Sequence, residues 1–183
     1  MGLPRLLLSS RLSSTNLAEM LKAEEFLAAQ GTFLEESFDD FYTRQLLEQV
    51  PKYVDRTSKL RSLIVQDPLP NEVRLYATES ATCYIFGHWL ACIGLARAAL
   101  DAALRDRLSA RGETQFPFKL DRIVKLARKV GVLDGPLEEM AQRVRRAGNE
   151  VLHQRAKAGP RLAFNRLADL RGVLLHLYRP VES

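Results

Sequence analysis

The sequence predicts an all-α protein, an antiparallel bundle of about four to five helices with an N-terminal helical extension. Three observations lead there. Apolar residues recur at helical spacing along most of the chain. No stretch alternates apolar and polar residues as a half-buried strand does. Turns rich in glycine and proline separate the periodic runs.

In chain order, Asn16 is placed to cap a first helix through LAEMLKAEEFLAA, stopped by Gly31. A second helix is expected over 34–49, ending before Pro51, and a third begins with Pro51 in its first turn. The acidic LEESFDDF segment, from Leu34 to Phe41, reads as a solvated amphipathic face or a protein contact. DPLP at 67–70 breaks the pattern and divides the chain into an extension, 1–70, and the bundle, 71–183. A long helical stretch over 71–110 is split near Gly87, and Ile93, Ala96, Leu100, Leu104 and Leu108 share one face of its second half. Arg111-Gly112 closes it, and FPF at 116–118 is a loop. The next helix, 119–130, turns Leu120, Ile123, Val124, Ala127 and Val130 inward. Gly131 and DGP at 134–136 form a turn, and Pro136 starts the following helix. Gly159-Pro160 ends that segment, and 161–178 is the last helix.

With 46% hydrophobic and 27% charged residues, the chain can bury a core without disulfides or a structural metal. Two cysteines, Cys83 and Cys92, are too few for a disulfide framework, which points to a reducing, cytoplasmic setting. The apolar run Leu6-Leu7-Leu8 is too short for a signal core or a membrane span, and Leu6 breaks the myristoylation pattern. A loosely packed terminus and no membrane association are expected. The net charge of +5 is unevenly placed: residues 1–70 carry 8 basic and 10 acidic residues, residues 71–183 carry 19 and 12. Within 143–161 there are five arginines and Lys157 against one acid, Glu150, so a phosphate-bearing partner is a candidate beside a plain solvated face.

The helix from Pro136 has an apolar stripe of Leu137, Met140, Ala141, Val144, Ala147, Gly148 and Val151. With Val144 pointing inward, steps of about 100° put Arg145 at about 100°, Asn149 at about 140°, His153 at about 180° and Arg146 at about 200°. The four polar residues thus share a face turned away from the stripe. Gly148 is a second oddity, costing about 1 kcal/mol relative to Ala in a helix interior, and implies close helix packing or a kink.

The pattern Arg-x-x-Gly-Asn-x-x-x-His, from Arg145 to His153, resembles the signature of a bacterial HEPN-like domain family. CYIFGHWLACIGLARAALDAAL, from Cys83 to Leu104, is similar to that family's opening helices, a Gly-aromatic turn followed by Ala/Leu-rich sequence ending in Arg-x-x-Leu-Glu. The resemblance covers 71–178. It implies a HEPN-like helical bundle, pairing as a homodimer, and a metal-independent endoribonuclease. Carried over, His153 is the acid/base group, Asn149 orients the His or the phosphate, and Arg145 or Arg146 holds the scissile phosphate. Arg143, Arg155, Lys157 and Arg161 are the candidate RNA contacts around them. The residue types suit the chemistry: imidazole moves protons near neutral pH, and a guanidinium grips two phosphate oxygens.

Two departures matter. Position 101 is Asp where the family has Glu, and Arg97 with Asp101 reads as an i,i+4 ion pair. Six residues separate Arg146 from His153, within the common HEPN spacing, whereas seven separate Arg145, which matches the narrower family's position. Both arginines stay open at this point.

The reading is thus an RNA-cleaving toxin or phage-defence effector, with a cognate antitoxin or larger defence-system partner. The alternative is a non-catalytic HEPN-like module binding RNA, nucleotide or a partner protein. No Walker or Rossmann phosphate loop and no HExxH occur, and no cofactor is expected. Cys83, His88 and Cys92 match no standard zinc spacing and read as helix-packing residues, with His88 a cap near the Gly87 break. His176 reads as a core or interface residue of the last helix.

Overall fold

A computed structural model of the chain describes residues 40–60, 69–153 and 157–179. The expected first helix, the start of the second, most of the LEESFDDF segment, the first half of DPLP, and Arg155 lie outside them. All regular structure among the described residues is helical: α1 (Asp40–Leu60), α2 (Asn71–Phe86), α3 (Trp89–Ala110), α4 (Leu120–Lys129), α5 (Gly135–His153) and α6 (Pro160–Leu177). No described helix is long and apolar enough to cross a membrane.

α1 corrects one expectation. The sequence reading ends a helix before Pro51 and starts another there, yet a single helix runs through it. Proline removes one backbone donor and crowds the preceding turn, a local penalty of about 3 kcal/mol. Good helix formers on both sides, Leu46-Leu47-Glu48-Gln49 before and Lys52 after, let the helix resume at once. The compact units of the chain divide after Pro51, ahead of DPLP. The stretch Lys52–Leu60 packs with the bundle. Leu60 joins a buried cluster with Tyr84, Cys92, Ile93, Ala147, Ala163 and Leu167. Arg56 donates to the Ile85 carbonyl at 2.9 Å and lies over the Trp89 ring at 4.7 Å.

α3 is the central helix of the bundle and packs against α2, α4, α5 and α6. Ile93, Ala96, Leu100, Leu104 and Leu108, the face read from spacing, are fully buried, with Cys92, Ala99 and Ala103 beside them. Ser80 Oγ on α2 donates to the Cys92 carbonyl at 2.7 Å, which satisfies that buried hydroxyl. Burial pushes the Cys92 thiol up to about 12, so it behaves as an apolar side chain.

The helix ends are built by local rules. Gly87 sits at φ +84° after α2; its N–H bonds the Tyr84 carbonyl, and the His88 N–H bonds that of Cys83. That pair of bonds is the Schellman motif, and it needs the left-handed backbone that glycine takes without steric cost. The same bonding recurs at Gly112 and Gly131. At the start of α5, the Asp134 carboxylate accepts from the Leu137 N–H at 2.9 Å, an N-cap worth about 1 kcal/mol. Gly159 and Pro160 open α6, with Pro160 at a position that needs no donor.

Candidate active site

α5 buries Leu137, Ala141, Val144, Ala147 and Gly148, the stripe read from sequence, with Met140 and Val151 half-buried. Its polar residues are graded in exposure. Arg146 and His153 are exposed, whereas Arg145 and Asn149 are half-buried. The wheel of one helix locates the outward direction, but α3 and α4 cover the flanks.

Each arginine of α5 has a different partner. Arg143, a candidate RNA contact in the sequence, grips Asp169 of α6 with its guanidinium, at 2.6 Å through one terminal nitrogen and 3.2 Å through Nε. That bond raises the Arg143 pKa above its ordinary value. Arg166 reaches the same carboxylate at 3.2 Å. Arg145 donates from Nε to Gln142 Oε1 at 2.6 Å and lies 3.5 Å from Asp121 of α4, which leaves its side chain 17% exposed. Asp121 is also bonded to Lys125, and these two cations, Lys125 foremost, hold its carboxyl below the usual range. Among the described residues Arg146 bonds only the Gln142 carbonyl, at 3.3 Å. No described carboxylate lies within ion-pair distance of it. Arg145 and Arg146 line a shallow depression with Glu138, Glu139 and Gln142.

Asn149 has a partner that the sequence reading assigned elsewhere. Arg97 of α3 donates from Nε to Asn149 Oδ1 at 2.8 Å. The expected Arg97–Asp101 pair does not form; Asp101 accepts from Arg105 at 2.8 Å instead. The acid follows Arg97 by one turn, the weaker order for an i,i+4 pair, and it precedes Arg105 in the stronger order. Gly148 explains how Arg97 arrives. A Cβ at that position would lie 2.5 Å from Arg97 Cβ and Cδ, so the arginine stem crosses α5 where only glycine leaves room. Close packing, not a kink, accounts for this glycine. The signal was present in the sequence as an unexplained glycine beside Asn149; only the topology says what it faces.

α3 and α5 run antiparallel here, since Leu152 lies against Gly94 while Gly148 and Asn149 lie against Arg97. Leu90, one turn before Gly94, is 50% exposed and Leu152 is 59% exposed. An apolar strip therefore borders the polar residues. Among the described residues nothing hydrogen-bonds His153. Lys157 and Arg161, beyond the end of α5, are exposed.

The remaining histidines lie outside the core. His88 occupies the N-cap position of α3 but makes no side-chain cap bond, and it is exposed. His176 is exposed in the last turn of α6, which removes the core alternative of its sequence reading and leaves the interface one. Its neighbours Leu174 and Tyr178 take the buried positions. It lines a shallow depression with Arg107 and Arg111, where basic groups meet the C-terminal ends of α3, α4 and α6. No group of three or more His, Cys, Asp or Glu among the described residues is placed to hold a metal.

What α5 can offer chemically is the His153 imidazole, the exposed Arg146 guanidinium, unpaired among the described residues, and the anchored Asn149 amide on one side of a helix. No family model matches the chain, and no curated protein or solved structure matches it either.

Proposed function

We propose that this chain is a HEPN-type, metal-independent endoribonuclease that works as a homodimer. The observation that carries the reading is the grouping of exposed Arg146 and His153 with anchored Asn149 on the outer side of α5. The distribution of partners favours Arg146 over Arg145 as the phosphate holder. Arg145 is already engaged by Gln142 and Asp121, whereas Arg146 is exposed and forms no ion pair with a described carboxylate. Six residues then separate the working arginine from His153.

In the proposed reaction a 2′-OH of RNA attacks the adjacent phosphorus. One imidazole takes the hydroxyl proton while the bond to the 5′ oxygen breaks, and a second imidazole, protonated, supplies a proton to that leaving oxygen. The products are a 2′,3′-cyclic phosphate and a 5′-OH end. A single chain offers one His153, so two copies supply the two proton transfers. The strip of Leu90 and Leu152 supports such pairing, because exposed leucines beside a polar site gain by being covered. Arg146 stabilises the charge that gathers on the phosphate oxygens. Lys157 and Arg161 extend the positive surface along which RNA would lie. A nuclease of this kind requires restraint in its host, by a cognate antitoxin or a larger defence assembly.

The test is incubation of single-stranded RNA with the purified protein in EDTA. Cleavage leaving 2′,3′-cyclic phosphate ends is expected, and a 2′-deoxy nucleotide at the cut position should block it. Cleavage that tolerates the deoxy substitution would mean a water nucleophile and a different mechanism.

A second reading has its own observation. Histidines in catalysis are usually oriented by a neighbour, and no described residue orients His153. That favours a non-catalytic module that binds RNA, nucleotide or a protein through the same face. Salt-sensitive RNA binding, lost in Arg146→Ala, with no cleavage at any protein concentration, would select it.

A further inference from the structure

We propose that Arg97 is a positioning residue of this site, anchoring the Asn149 amide so that its NH2 group faces the phosphate backbone of a bound nucleic acid. The inference rests on the placement of the site at the outer side of α5 and extends it to a residue of α3, outside the Arg145–His153 pattern.

Three observations lead to it. The first is the direction of the hydrogen bond. An arginine Nε can only donate, so the atom it meets at 2.8 Å must be the amide oxygen of Asn149. The amide is thereby held in one of its two orientations, and its nitrogen, with two donors, points away from Arg97. The second is the seat built for the arginine. The Arg97 stem passes over Gly148, where a Cβ would fall 2.5 Å from its Cβ and Cδ and 2.9 Å from its Cγ. Because the clash reaches atoms next to the backbone, a larger residue cannot be absorbed by moving the end of the side chain. The third is charge. The nearby acid, Asp101, bonds Arg105, and no described carboxylate pairs with Arg97, which is only half-buried.

Together these give a surface of donors. Arg97 offers terminal N–H groups, Asn149 an NH2 group and Arg146 an exposed guanidinium, and none of these supplies an acceptor in its place. Such a surface suits phosphate oxygens, which only accept. It also decides between two roles for Asn149. Its oxygen already serves Arg97, so presenting donors to a phosphate is its main remaining capacity, rather than accepting a hydrogen bond from His153.

The test follows the side-chain amide signals of Asn149 by nitrogen-15 NMR on the full chain, identified by their loss in Asn149→Ala. The probes are inorganic phosphate and a short single-stranded oligodeoxynucleotide, which has no 2′-OH and cannot be cut. In the wild type both amide protons should shift as the oligonucleotide is added. Arg97→Lys keeps the charge and loses the Nε donor. It should abolish that shift and weaken binding about tenfold, with the backbone spectrum otherwise unchanged. Gly148→Ala should act in the same direction with every polar group still present. An Asn149 response that persists in Arg97→Lys would overturn the proposal, as would a wild-type protein that binds the oligonucleotide without it or fails to bind it. Parallel RNA cleavage separates this inference from the nuclease reading. An Asn149 response without any cleavage retains the positioning role and removes the nuclease. Cleavage by Arg97→Lys with unchanged kcat and KM removes the positioning role and retains the nuclease.

Discussion

Asp169→Ala is expected to destabilise the bundle by about 3 kcal/mol, lowering the melting temperature by roughly 10 °C. Asp169 is 9% exposed; it accepts hydrogen bonds from Arg143 of α5 and forms an ion pair with Arg166 of its own helix. Removing it leaves two guanidiniums facing each other with no carboxylate between them. Breaking a buried pair from one side costs about 3–5 kcal/mol. The low end applies because Arg143 is 37% exposed and can turn to water. Arg166 is 14% exposed, and its Nε already lacks a partner, so most of the penalty falls there. Asp169→Asn keeps the shape and one acceptor and should cost roughly half as much. Urea or thermal denaturation reads both. A loss under about 1 kcal/mol for Asp169→Ala would mean that apolar packing between α5 and α6 holds the helices together without this ion pair.

The second large effect is on function. Arg146→Ala should lower RNA cleavage by about a hundredfold or more while the protein melts as the wild type does. Arg145→Ala should do the opposite, with a small loss of stability and cleavage within about threefold of wild type. The contrast follows from their partners. Arg146 is exposed and bonds one carbonyl of its own helix, so its loss disturbs little that holds the fold. Arg145 ties α5 to α4 through Asp121 and is mostly covered. Single-turnover cleavage with melting curves for both variants separates the roles. A larger loss of cleavage in Arg145→Ala would give the phosphate role to Arg145.

Much of the bundle was readable in the sequence because its rules are local. Helical periodicity put Ile93, Leu100 and Leu104 inward, and glycines after α2, α3 and α4 marked the helix ends. DGP at 134–136 marked the next turn, with Pro136 in the first turn of the helix that follows. Pro51 misled because its penalty is confined to one turn, while helix formation resumes just beyond it. For His176 the sequence left core and interface both open, because an apolar sequence neighbourhood does not say which way a side chain points on the helix.

The site was half readable. Spacing placed Arg146 and His153 outward from α5 without any knowledge of its neighbours. It did not separate three arginines with three different partners, because Asp169 and Asp121 come from other helices. The partner of Arg97 was hidden for the same reason. It lies 52 positions before Asn149, and its attachment depends on how α3 crosses α5. Gly148 carried the clue, since a glycine in a helix interior needs a cause, and here the cause is an arginine stem.

The central claim is that His153 performs proton transfer in RNA cleavage. It is tested most directly by comparing wild type and His153→Ala on single-stranded RNA in EDTA, with melting curves taken alongside. His153 is exposed at the end of α5 and holds no described contact in place, so the variant should melt as the wild type does. Loss of cyclic-phosphate product in a fully folded His153→Ala protein is the predicted result; undiminished cleavage by that variant would contradict it.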